Sequence, residues 1–102
     1  MSSSTARPAG VIARYLTVGG ATVDLTEESD YSNIAVPTQT VAKCAGCGER
    51  HKEDWGWNFW ANERDEEQPD SYQRRGEHAT PQARRWAQSH AEKCRAVPKA
   101  NA

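Results

Sequence analysis

The sequence predicts a small α+β domain: an N-terminal β-hairpin, a second hairpin and one C-terminal helix, held by a staple more than by a large apolar core. Three observations predict it. Two β-rich runs, VIARYLTV and ATVDLT, flank Gly19-Gly20. Residues 80–97 carry apolar side chains at helical spacing behind a helix-start signal. Of 102 residues only 12 are Val, Ile, Leu, Met or Phe, whereas 15 are alanine. A chain of this length forms one domain and buries a smaller fraction of its surface than a larger one. With so few large aliphatics, burial alone does not offset chain entropy. The same count excludes a second globular domain and an enzyme with a deep apolar pocket. No apolar run approaches the roughly 18 residues of a membrane span. The first ten residues lack the apolar stretch of a secretory signal, so a cytoplasmic protein is expected.

Residues 1–9, MSSSTARPA, are small and polar and read as a disordered tail; 99–102 form a second short tail, leaving 10–98 as the domain. The first hairpin spans 11–26, with Gly19-Gly20 as a two-residue turn whose positions both need φ > 0. Pairing outward sets Val18 opposite Ala21, Leu16 opposite Val23 and Arg14 opposite Leu25. Ile12, Leu16, Val18, Val23 and Leu25 then share the apolar face. Ile34 to Val36 suits a short strand ended by Pro37, and Thr38 to Lys43 suits another that runs into Cys44-Ala-Gly-Cys47-Gly48. Trp55, Trp57 and Phe59 alternate, as in a strand with an aromatic face. Residues 61–79 are charged and contain Pro69 and Gly76, which favours a long solvated loop with at most a helical turn near Ala61–Glu67. Thr80 as N-cap and Pro81 as first helical residue then start a helix over 81–97, ended by Pro98. Ala83, Trp86, Ala87, His90, Cys94 and Val97 fall on one face of it.

Three cysteines, an odd number in a reducing compartment, argue against a disulfide framework and for a metal. Cys44-x2-Cys47-Gly48 has the form of a zinc knuckle at 44–48: two thiolates two residues apart chelate one ion, and small residues between them let backbone amides turn toward the sulfurs. His90 and Cys94, four apart on the helix, face the same way. Cys44, Cys47, His90 and Cys94 together make three thiolates and one imidazole, the closed shell of one structural Zn2+. The staple is therefore zinc, and the second hairpin bears the knuckle. Forty-two residues separate Cys47 from His90, longer than usual between ligand pairs. His51 or His78 is an alternative source of the histidine, and Cys94, Trp86 and His90 are alternatively plain core residues. A redox CxxC lacks its βαβ setting. A catalytic zinc would need a base, but Glu92 lies about 200° around the helix from His90, so no enzymatic activity is expected.

The aromatic residues Trp55, Trp57, Phe59, Trp60 and Trp86 are expected as a miniature core on either side of the ion, with Trp60 or Tyr72 the alternative anchors for a partner. The net charge of −1 hides a split. Residues 49–70 hold eight acidic and three basic side chains, and residues 74–99 hold seven basic and two acidic ones. Arg74, Arg75, Arg84, Arg85, Arg95 and Lys99 form a candidate nucleic-acid surface. The acidic stretch at 63–70 opposes phosphate.

The order of knuckle, strand and helix bearing the last two ligands resembles the ββα zinc-finger plan in its variant with ligand order Cys, Cys, His, Cys. The match covers roughly residues 38–97 and departs from the plan in its long inserted loop. The segments CAGCG and WAQSHAEKCRAVP are also similar to short zinc-finger-like proteins of actinobacteria, their plasmids and their phages. The resemblance implies a small zinc-binding accessory or regulatory protein. The sequence then supports two functions: a protein-interaction module with a protein partner, or a nucleic-acid-binding regulator. No small-molecule substrate and no membrane are expected.

Overall fold

The computed structural model describes residues 10–29, 31, 36–74 and 77–98. The two tails, the proposed strand from Ile34, and Arg75 and Lys99 lie wholly or largely outside these residues. The fold is α+β, as the sequence predicts. Four antiparallel strands, β1 (Val11–Leu16), β2 (Thr22–Glu28), β3 (Gln39–Cys44) and β4 (Arg50–Asp54), form one sheet in sequence order. Two short helices follow, α1 (Phe59–Glu63) and α2 (Asp70–Gln73), and then α3 (Ala79–Lys93), which crosses one face and touches all four strands.

The first hairpin is present, but its register is one residue from the predicted one. Leu16 pairs with Thr22, Tyr15 with Val23, Arg14 with Asp24 and Ala13 with Leu25, with an irregularity between Val11 and Ala13. A one-residue slip exchanges faces. Ala13 and Tyr15 join Val23 and Leu25 against α3, while Leu16 and Val18 are 73% and 62% exposed. The cause is the turn. Residues 17–21 form a wider loop in which Thr17 Oγ1 accepts from the Ala21 amide. Its amides are used elsewhere: Val18 donates to the Ala91 carbonyl at 2.9 Å and Gly19 to that of Cys94 at 3.0 Å. The loop thus supplies donors for carbonyls at the end of α3 that have no partner within the helix. Only Gly20 has positive φ (92°). Gly19 is required for space, since a Cβ there would lie 2.4 Å from the Ala96 carbonyl oxygen.

Helix α3 is held through a stripe of alanines, Ala79, Ala83, Ala87 and Ala91, all buried. Spacing of four keeps them on one face, and their size lets the helix approach the sheet closely. Ala83, Ala87 and Ala91 pack on Ala13, Val23, Leu25, Ala42 and Cys44. The helix starts and ends earlier than predicted. His78 is the N-cap and makes no side-chain cap bond. Thr80, the predicted cap, lies inside the first turn, and its hydroxyl meets that of Thr40 at 2.9 Å. Beyond Cys94 the chain leaves the helix, so Arg95 departs from the helical face and Val97 is 68% exposed.

The aromatic strand predicted over 55–59 is not formed. The fourth strand is instead the preceding charged segment RHKED, in which His51 and Glu53 are half-buried while Arg50, Lys52 and Asp54 are exposed. A charged edge of this kind discourages further strand pairing. Asn58 then caps α1, its side chain accepting from the Ala61 amide at 2.8 Å, which diverts Phe59 and Trp60 into a helical turn. Trp55 alone of the tryptophans is buried, at 4% exposure, and Trp60 projects into solvent. Of the tryptophans expected around the ligands only Trp86 packs against the core there, which is otherwise built of alanine, valine and leucine. Trp55, Trp57 and Tyr72 instead group in ring contacts of 4.9 to 6.2 Å. This group sits at the Thr40 end of β3, about 13 Å along the strand from Cys44. The segment expected as a loop also contains α2, whose Tyr72 hydroxyl donates to the Pro37 carbonyl at 3.1 Å.

Candidate metal centre

Three parts of the chain meet at the other end of β3. Cys44 is its last residue and is buried. The knuckle turn that follows is set by two backbone bonds, the Gly48 amide to the Cys44 carbonyl at 3.0 Å and the Cys44 amide to the Glu49 carbonyl at 2.9 Å. This turn carries Cys47 at the surface. The Ala45 amide bonds the Thr22 carbonyl at 2.8 Å, which fixes the knuckle to β2. His90 comes from the last turn of α3, and Cys94 follows as its C-cap, with its amide on the His90 carbonyl at 2.8 Å. The segment after the helix then passes over the knuckle. A Cβ on Gly46 would stand 2.8 Å from the Ala96 carbonyl oxygen, so a larger residue would push the two apart.

The ligand atoms of Cys44, Cys47, His90 and Cys94 all lie within 4.8 Å of one another. Cys44 Sγ and Cys94 Sγ are 3.8 Å apart, and Cys47 Sγ is 3.4 Å from His90 Nε2. A tetrahedral ion with metal–sulfur bonds of about 2.3 Å and a metal–nitrogen bond of about 2.0 Å sets sulfurs about 3.8 Å apart and sulfur to nitrogen about 3.5 Å. The Cys44–Cys94 and Cys47–His90 separations are close to two edges of that tetrahedron. The four residues are close enough to bind one metal ion, and their donor chemistry fits a soft or borderline cation.

The sulfurs differ in acidity. Burial pushes the Cys44 thiol up, but the amides of Cys47 and Gly46 and the side chains of His90 and Cys47 outweigh it and hold the thiol at about 7. The Glu49 amide pulls the Cys47 thiol down. Desolvation and the neighbouring sulfurs of Cys44 and Cys94 more than reverse this and leave it raised. Of these two, Cys44 offers the thiolate more readily, the form that ligates metals.

The two alternative histidines take other positions. His51, on β4, faces α3 and bonds Glu53 through Nε2 at 2.5 Å. His78 caps α3 and lies 3.5 Å from Arg74 Nη1. Neither belongs to the cluster with the cysteines. Three aromatic rings nevertheless connect His51 to the site. His51 stacks on Trp86 at 5.3 Å and 8° between planes, and Trp86 stacks on His90 at 4.7 Å and 10°. Sequence reasoning missed this stack. The spacing of four from Trp86 to His90 was the available signal for half of it, whereas the other half depends on strand pairing.

Of the basic residues, Arg74 is exposed with Glu77 at 3.8 Å, and Arg84, Arg85 and Arg95 are exposed. Arg84 and Arg85 project from α3, while Arg95 lies beyond its end. Among the described residues, no helix is long and apolar enough to cross a membrane. In comparisons with known proteins, no family model, no curated protein and no solved structure matches the chain.

Proposed function

We propose that Cys44, Cys47, His90 and Cys94 hold one zinc ion whose role is structural, in a small cytoplasmic accessory or regulatory protein that works as a protein-interaction module. The observation that carries the zinc reading is the convergence of four protein donors, all within 4.8 Å of one another, from β3, the knuckle and the end of α3. Four protein ligands leave no open position for water or substrate, which favours a structural site over a catalytic one. Three thiolates and an imidazole favour zinc among the common divalent ions. The ion supplies a cross-link between segments 50 residues apart. The chain's own residues do the rest: the knuckle orients two sulfurs, and α3 brings its C-terminus onto them.

The interaction reading is supported by what the surface offers. Trp60 is largely exposed beside an acidic segment that includes Glu63, Glu66 and Glu67, and exposed tryptophans are frequent anchors of protein interfaces. One observation favours a second reading, a nucleic-acid-binding regulator. Arg84, Arg85 and Arg95 are exposed and form no ion pair with a described residue.

Native mass spectrometry tests the site. One zinc per chain is expected for the wild type and for His51→Ala, and none for Cys44→Ser or His90→Ala. Metal lost with His51→Ala but kept with His90→Ala would overturn the ligand set. Binding to random duplex DNA separates the two functions: salt-dependent affinity supports the regulator, and its absence at low salt supports the protein-interaction module.

A further inference from the structure

A metal-bound histidine normally donates its second ring N–H to a carboxylate, carbonyl or water, and that bond fixes the ring's orientation and its tautomer. His90 meets Cys47 Sγ through Nε2. The ring is also held by contact with its face. Trp86 lies one turn earlier on α3 and stacks on it at 4.7 Å, within 10° of parallel. The opposite face of the indole is covered by His51, at 5.3 Å and 8°. His51 is itself fixed twice, by pairing of its strand residue with Ala42 and by the bond from Nε2 to Glu53. The three rings form a column running from strand β4 to the ligand cluster.

We infer that Trp86, clamped by the His51–Glu53 pair, is the positioning residue of the metal centre and orients His90 by stacking. This rests on His90 being a ligand. It also gives β4 a role in the site, although β4 contributes no ligand. A strand that holds His51 holds Trp86, and Trp86 limits His90 to ring orientations that direct Nε2 toward the three sulfurs. A face-to-face contact restrains tilt while leaving the ring free to slide in its own plane. The final position along that plane is therefore set by the ion.

Competition titration of zinc against a chromophoric chelator tests the inference, with the wild type, Trp86→Phe, Trp86→Leu and His51→Ala compared as full chains. Loss of an outer-shell partner typically weakens a metal site by about 10- to 100-fold, and that loss is expected for Trp86→Leu. Trp86→Phe, which keeps a stacking ring, is expected to recover most of it, and His51→Ala to show a smaller loosening at unchanged stoichiometry. The cobalt-substituted proteins supply a readout that general destabilisation would not move. The ligand-field bands of Trp86→Leu should broaden and shift, whereas those of Trp86→Phe should match the wild type. Wild-type affinity and spectrum in Trp86→Leu would overturn the inference and leave the metal centre standing, as would equal losses in the leucine and phenylalanine variants. A wild-type chain that bound neither zinc nor cobalt would overturn both.

Discussion

The two ends of strand β3 solve the same shortage of aliphatic residues in different ways. At the Thr40 end, Trp55 is buried and its indole N–H donates to Thr40 Oγ1 at 2.7 Å, and the same hydroxyl meets Thr80 on α3. Tyr72 packs against Trp55 and Trp57 and bonds the Pro37 carbonyl. That end is built from covalently present groups alone. It includes a cost, since Trp57 Nε1 is buried with no partner among the described residues. At the Cys44 end, the chain brings together three sulfurs, an imidazole and several close backbone crossings. One end is complete as synthesised, and the other, on the proposed reading, is closed by an ion. In a domain this small the two kinds of closure are neighbours on one strand, so each can be removed separately.

Chelation has the largest expected effect and tests the comparison most directly. Removing zinc with a strong chelator should sharply raise hydrogen exchange at the amides of Val18, Gly19 and Ala45, which bond across the Cys44 end, before that of the Trp55 amide. Uniform protection loss would show that the two ends are one cooperative unit, and no change would show that the crossings hold without the ion. Replacing Trp55 is the converse test. Trp55→Ala should cost about 3–5 kcal/mol, the usual range for a buried aromatic ring. Trp55→Phe, which loses the bond to Thr40, should cost about 1–3 kcal/mol. Both are read from urea unfolding, and zinc stoichiometry should stay at one in whichever variant folds.

The smallest effect concerns the outer face of the sheet, common to both ends. Glu28 accepts from the Thr26 hydroxyl at 2.7 Å, and Lys43 lies at 3.0 Å and Arg50 at 3.8 Å. The Thr26 hydrogen bond is the main cause that lowers the Glu28 carboxyl below its ordinary value; Lys43 and Arg50 add to it, and burial opposes it. A carboxyl lowered on folding contributes stability that is present above its unfolded pKa and is lost as pH falls through its folded pKa. Glu28→Gln should therefore cost less than about 1 kcal/mol at neutral pH. The gap from wild type should close on acidification, in urea titrations across that range. A gap that persisted in acid would place the effect in packing rather than charge.

The clustering of Cys44, Cys47, His90 and Cys94 was legible because each half is local. Cys44 and Cys47 are two residues apart across one turn, and His90 and Cys94 are four apart, so short-range geometry already aligns them. The sequence also showed that a hairpin and a C-terminal helix should exist. It did not show the hairpin register, because the turn amides of Val18 and Gly19 are drawn to carbonyls of Ala91 and Cys94 more than 70 residues away. Thr80 misled for a similar reason: a residue suited to capping a helix was drawn by the Thr40 hydroxyl into tertiary contact. The alternation of Trp55, Trp57 and Phe59 has the period of a strand, but the Asn58 cap ends any extended run there. His51 could be read only as a spare ligand, since its place beside Trp86 follows from pairing with Ala42.

The alanine stripe of α3 bears on the disordered side of the folding equilibrium. Burying a leucine or methionine forfeits rotamer freedom, whereas burying an alanine forfeits none. Ala83, Ala87 and Ala91 share the helix–sheet interface with Ala13 and Ala42. The helix side of that seam therefore orders almost no side-chain torsions as it forms. The domain gains less from water than one with a leucine core, and it also has less motion to give up.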